Sequence, residues 1–125
     1  MRMNRAYPSR PLIGVGVADF KNGTVLLVQR AGPPRQGKWS LPGGVQHLGE
    51  TVFKAGQREA AEETGLTVEP VTVVAVVDLI DRDDTGAVRY HYTLIDLAAL
   101  WCGGEPRPGG GGNGRERPRP SSGLR

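Results

Sequence analysis

The stretch from Gly44 to Leu66, GVQHLGETVFKAGQREAAEETGL, constrains this chain more than any other. Gly44 is followed after five residues by Glu50, and after seven more by Arg58-Glu59. Ala60, Ala61, Glu62, Glu63, Thr64, Gly65 and Leu66 complete the block. Thr51 has the chemistry of an N-cap, a helix is predicted from there to Thr64, and Gly65 supplies the C′ residue. On that helix Glu59, Glu62 and Glu63 fall at i, i+3 and i+4 and project from one face. Like charges so placed oppose helix formation unless something neutralises them. A hard divalent cation does so, because Mg²⁺ takes carboxylate oxygens and leaves coordination positions for substrate phosphates. A solvated acidic helix face with a glycine cap is the plainer explanation, but it accounts for neither Gly44 nor Arg58.

The block resembles the signature of the Nudix hydrolase family, Gly-x5-Glu-x7-Arg-Glu-U-x-Glu-Glu-x-Gly-U, where U is a bulky apolar residue. Gly44, Glu50, Arg58, Glu59, Glu62, Glu63, Gly65 and Leu66 fill the fixed places, and Ala60 fills the first U place with a smaller side chain than usual. The likeness extends more loosely over residues 11 to 100. It implies an α+β fold, the α/β/α sandwich with a mixed sheet, and hydrolysis of the pyrophosphate bond in a nucleoside diphosphate linked to another group.

From the same resemblance come the expected roles. Glu59 and Glu63 are the leading direct ligands for Mg²⁺ or Mn²⁺, the Gly43 carbonyl is the usual additional ligand, and Glu62 shares a second metal or orients water. Glu62 is also the leading general base, since the later loop that carries a carboxylate in some members is not recognisable here. Arg58 and Glu50 are expected to pair and hold loop and helix in register. Arg30, closing the second strand, is placed to reach a substrate phosphate, the alternative being a surface ion pair. His47 reads as an exposed loop residue. The stretch from Leu41-Pro42-Gly43-Gly44 to the box resembles the branch acting on ADP-ribose or nucleoside diphosphate sugars. Hydrolysis of nucleoside triphosphates, including oxidised ones, stays open as an alternative, as does an inactive, truncated nucleotide-binding module.

Around the block the chain reads as strands. Pro11 to Asp19 alternates apolar and small residues, Asn22-Gly23 is a turn signal, and Thr24 to Arg30 is its hairpin partner. Ala31 to Lys38, with Gly32, Pro33, Pro34 and Gly37, reads as a loop. Gly56 inside the helix costs roughly 1 kcal/mol relative to Ala, which close packing on the sheet would explain. Val71 to Asp81 is nearly continuous in β-branched residues and reads as a central strand. Asp83 to Gly86 is a turn, and Ala87 to Leu97 the next strand.

The formal charge of +3 is not a nucleic-acid footprint. From Gly103 onward five arginines and two glutamates carry that excess, and residues 1–102 hold equal numbers of basic and acidic side chains. Cys102 is the single cysteine, so no disulfide framework exists, which fits a reducing cytoplasm. No apolar stretch approaches membrane-spanning length, and the first residues do not read as a signal peptide. The partners implied are a nucleotide-derived small molecule, with no specific nucleic acid and no membrane.

Residues 103–125 contain Leu124 as their single hydrophobic side chain and are expected to be disordered. The organisation expected is an N-terminal extension over 1–10, a truncated Nudix domain over 11–102, and that tail. The resemblance implies a further strand and a covering helix after Trp101, which this composition does not supply. Part of the sheet face is therefore expected to lie open or to pair with a second copy as a homodimer.

Overall fold

The computed structural model describes residues 5–29, 37–105 and 116–120. Their elements are β1 (Leu12–Lys21), β2 (Thr24–Gln29), β3 (Trp39–Ser40), β4 (Gly43–Val45), α1 (Val52–Thr64), β5 (Thr67–Arg82), β6 (Val88–Gly103) and β7 (Glu116–Pro120). The strands form one mixed sheet of order β3-β2-β1-β6-β5, with β4 added to β1 and β7 to β2. β1 and β6 run parallel, with Leu12 opposite Tyr92 through to Phe20 opposite Leu100. The remaining pairings are antiparallel.

Local chemistry sets most of these boundaries. Asn22 and Gly23 both take positive φ, 53° and 77°, the backbone that a tight two-residue hairpin between β1 and β2 demands. The Thr51 side chain accepts a hydrogen bond from the Lys54 N–H at 3.1 Å and starts α1. Gly65, left-handed at φ 80°, ends it and donates to the Ala61 carbonyl at 3.0 Å. The turn after β5 closes on Asp83, whose Oδ1 accepts from the Thr85 N–H at 3.0 Å and the Ala87 N–H at 3.0 Å. Asp83 Oδ2 accepts from the Tyr7 hydroxyl at 2.7 Å, which ties the N-terminal segment to this hairpin.

One helix among the described residues packs on the sheet. Val15, Ala55 and Leu97 form one buried cluster beside Val52 and Ile95. Val17, Leu26, Ala60, Leu66, Val68 and Ala99 form the other, with Trp101 against it. The odd-numbered residues of β1 and β6 thus face α1, and Gly14, Gly16, Leu94 and Asp96 face away. Gly56 touches down at the centre, where an added Cβ would lie 2.8 Å from Leu97 Cδ1 and 3.3 Å from Val17 Cγ2. Close packing of helix on sheet is therefore its explanation. Asp19 shares the α1 face with Val15 and Val17 and is fully buried, with neither carboxylate oxygen hydrogen-bonded. Burial pushes its carboxyl up to about 7.

Three expectations change. The β-branched run from Val71 is not central: β5 is the edge of the strand order, and the parallel β1–β6 pair is the centre. β6 reaches Gly103, well beyond Leu97. Val71, Val73, Val74, Val76, Val77 and Ile80 on β5 are exposed, as is Leu100. An open apolar sheet surface is thus present among the described residues. Within the stretch expected to be disordered, Glu116–Pro120 lies along β2, from Val28 opposite Glu116 to Thr24 opposite Pro120. Strand addition needs backbone hydrogen bonds rather than an apolar face, so side-chain pattern carried no sign of it. Residues 106–115 and 121–125 lie outside the described residues.

Candidate active site

Arg58 is the hub from which the site is built. Its Nε donates to Glu50 Oε2 at 2.7 Å and its Nη2 to Glu50 Oε1 at 3.0 Å, the two-pronged pairing that a planar guanidinium makes with a carboxylate. Nη2 also donates to the Val45 carbonyl at 3.1 Å, and Nη1 reaches Glu59 Oε2 at 2.7 Å and Glu62 Oε1 at 3.3 Å. The expected Arg58–Glu50 pair is present, and it joins the loop before α1 to the middle of the helix. Glu50 accepts a further hydrogen bond from the His47 N–H at 2.9 Å. The Arg58 guanidinium, then this N–H, hold the Glu50 carboxyl down to about 2. The same carboxylate raises the Arg58 pKa.

Two box glutamates lean on the same glycine pair. Glu63 Oε1 accepts from the Gly43 N–H at 2.9 Å. The Glu59 carboxylate lies so close to Gly44 that a Cβ there would collide with it. Gly43 and Gly44 belong to β4, in register with Gly16 and Val15 of β1. The glycine pair is thus the floor of the site because any side chain on Gly44 would fill the space Glu59 takes. Glu62 points outward, its side chain 60% exposed against 16% for Glu59.

As they stand, no three acidic, histidine or cysteine side chains among the described residues converge as a ready metal cage. Glu59 is turned to Arg58, and Glu63 to the Gly43 N–H. The donor chemistry nevertheless fits a hard cation. Two carboxylates one helical turn apart meet a backbone cradle that only glycine leaves open, and oxygen donors are what Mg²⁺ takes. The structure therefore brings Glu59, Glu63, Gly43 and Arg58 together and sets Glu62 at the rim. Arg30 lies outside the described residues. His47 is exposed, and Cys102 is a free, exposed thiol.

Sequence reasoning missed Asp96. Its carboxylate lies over Gly16, where an added Cβ would stand 2.5 Å from Oδ1. Burial pushes its carboxyl above the ordinary range. The apolar-to-polar break at Ile95-Asp96 was the available signal, but the parallel register that carries it to Gly16 is a long-range property.

Comparison with known proteins agrees with this geometry. Over 99 residues the chain is 35% identical to an ADP-ribose pyrophosphatase of Methanocaldococcus jannaschii, a match covering 79% of this chain and 56% of that protein. Over 96 residues it is 42% identical to a Mycobacterium tuberculosis protein named provisionally as an 8-oxo-dGTP diphosphatase, covering 76% of this chain and 64% of the relative. The chain thus spans less than two thirds of the length of these relatives. The crystal structure of a MutT NUDIX hydrolase from Burkholderia pseudomallei superposes with a TM-score of 0.78 at 32% identity, covering 94% of this chain and 88% of that one. Among the described residues no helix is long and apolar enough to cross a membrane. The NUDIX domain profile matches residues 10–115, most of the chain and the whole of the Gly44–Leu66 block, and the chain belongs to the NUDIX domain family.

Proposed function

We propose that this chain hydrolyses the pyrophosphate bond of a nucleoside diphosphate linked to another group, ADP-ribose or a nucleoside diphosphate sugar, with the help of Mg²⁺ or Mn²⁺. The observation that carries this reading is the meeting of Glu59 and Glu63 at the Gly43–Gly44 backbone. Glu59, Glu63 and the Gly43 carbonyl would hold the cation, with Glu62 completing or sharing the set. Such a cation, when bound, neutralises the phosphate oxygens and makes water more acidic. Glu62, at the exposed rim, is assigned to take the proton from the attacking water. Arg58 keeps the helix and the glycine loop in fixed relation, which matters because misplacement by an ångström is costly in rate. Arg30 is assigned to a substrate phosphate.

A second reading, hydrolysis of an oxidised nucleoside triphosphate, is supported by the name of the mycobacterial relative at 42% identity. The two use one box and differ in the rest of the substrate surface. An inactive nucleotide-binding module is the third outcome. One panel separates them: ADP-ribose, nucleoside diphosphate sugars, dGTP and 8-oxo-dGTP, each assayed with Mg²⁺, with Mn²⁺ and with excess EDTA. The proposal expects AMP or another nucleoside monophosphate as product, lost with EDTA and restored by metal. Turnover that persists in EDTA after dialysis would overturn the metal assignment, and nucleotide binding without turnover would favour the module.

A further inference from the structure

β5 carries most of the exposed large apolar side chains among the described residues: Val71, Val73, Val74, Val76, Val77 and Ile80. Directly paired residues point to the same side of a sheet. Val73 stands opposite Leu97, Val76 opposite Ile95, Asp78 opposite Thr93 and Ile80 opposite His91, so these four share the α1 face. The helix leaves them exposed. It packs over β1 and β6 and meets β5 at Val68, whose carbonyl accepts from Gln57 Nε2 at 3.4 Å. Phe53, one turn before Gln57, lies on that same flank of α1 and is exposed. Phe53, Val73, Val76 and Ile80 thus make an apolar strip beside the helix.

No other stretch of this sequence can cover the strip. Residues 1–4, 30–36, 106–115 and 121–125, outside the described ones, hold Met1, Met3, Ala31 and Leu124 as their apolar side chains. Strand addition along the β5 edge is disfavoured as well. The register with β6 shifts at Val71 and at Val74, and Asp78 sits in the regular stretch from Ala75 to Asp81. Bulges and edge charges are devices that keep strands from pairing. The strip does carry its own complement. Lys54 follows Phe53 on the helix side, and Asp78 lies between Val76 and Ile80 on the strand side. Both are exposed, and neither makes an ion pair among the described residues. In a two-fold pair each contact occurs twice, residue i on j and j on i.

We propose that this strip is the interface of a homodimer in which α1 of each protomer lies against β5 of its partner. Phe53 packs on the partner's Val73 and Val76, and Lys54 sits beside the partner's Asp78. Apolar burial drives the association, and the charge pair fixes its orientation. Glu59 and Glu63 lean on β4, on the other side of β1 from β5, so the interface leaves the candidate active site open.

Sedimentation velocity and light scattering over a concentration series of the full chain read the oligomeric state, with folding checked by circular dichroism. The wild type is expected to pass from monomer to dimer as concentration rises. Val76→Lys and Phe53→Ser, both at exposed positions, are expected to weaken the dimer at least about tenfold. Lys54→Glu and Asp78→Lys should each also weaken it, and the double variant carrying both should recover most of the wild-type association. A wild type that stays monomeric throughout would overturn the proposal and leave the strip to another macromolecule. A dimer untouched by Val76→Lys and Phe53→Ser would place the contact elsewhere, at the β5 edge or the opposite sheet face, and would overturn it equally. Loss in both single charge variants without recovery in the double would overturn the placing of Lys54 against Asp78.

Discussion

Arg58 holds Glu50 by two hydrogen bonds, 2.7 Å at Nε and 3.0 Å at Nη2, across eight residues of sequence. The pair binds the loop after β4 to the second turn of α1, the segments that carry the glycine cradle and the acidic face. Lysine keeps the charge but cannot make the planar two-point contact. Arg58→Lys is therefore expected to lower kcat by at least about tenfold through misplacement of Glu59 and the loop. Steady-state kinetics beside a thermal melt check this; unchanged kcat in a folded variant would reduce the pair to a surface contact.

Removing one negative oxygen at nearly constant volume tests the ligand assignment. Glu59→Gln and Glu63→Gln are each expected to cost at least roughly tenfold in kcat, in the range seen when electrostatic stabilisation is lost. Mn²⁺ affinity, read directly by electron paramagnetic resonance, should fall in the same variants. Full activity with unchanged Mn²⁺ affinity in either would move the metal elsewhere on the chain.

The bounds of α1 were legible because a helix announces itself locally, through Thr51 at one end and Gly65 at the other. The Arg58–Glu50 pair was legible through the family pattern. The place of β5 was not. A run of β-branched residues reads alike at the centre or edge of a sheet, and the parallel β1–β6 pairing that moves β5 outward joins residues about 80 positions apart. Nor did the sequence reveal that Asp19 and Asp96, polar interruptions in apolar strands, lie on opposite faces. Parity becomes meaningful only once the helix is known to cover the odd-numbered residues.

Gly56 offers a test of packing against propensity. Alanine would gain up to about 1 kcal/mol in helix propensity. Its Cβ would stand 2.8 Å from Leu97 Cδ1 in a buried cluster, and overpacking costs about 1–3 kcal/mol. Gly56→Ala is therefore expected to destabilise the fold by about 1 kcal/mol in urea unfolding. Pairing it with Leu97→Val, which trims the obstructing side chain, should make the two changes non-additive. A stabilised single variant would mean that the helix lifts from the sheet at no cost.

Asp19 and Glu50 give stability opposite dependences on pH. Glu50 is held down to about 2, so its contribution is present above its unfolded pKa of about 4.3 and lost as pH falls towards 2. The Asp83 carboxyl, held down to about 2 first by the Tyr7 hydroxyl and then by that of Thr85, acts in the same window. Asp19 is raised to about 7 by burial, so the unfolded chain loses its proton first. Its ionisation therefore opposes folding, from nothing below about pH 4 to a full penalty above pH 7. A shift of this size corresponds to a penalty on the order of 4 kcal/mol. Stability should accordingly peak near pH 4–5 and decline towards neutrality, which urea unfolding at successive pH values would read. Asp19→Val replaces the unpartnered, fully buried carboxylate with an apolar side chain suited to a strand. It should flatten the decline between pH 4 and 7, and raise stability at pH 8 far more than at pH 4. Parallel curves for wild type and Asp19→Val across that range would show that Asp19 does not carry the pH dependence.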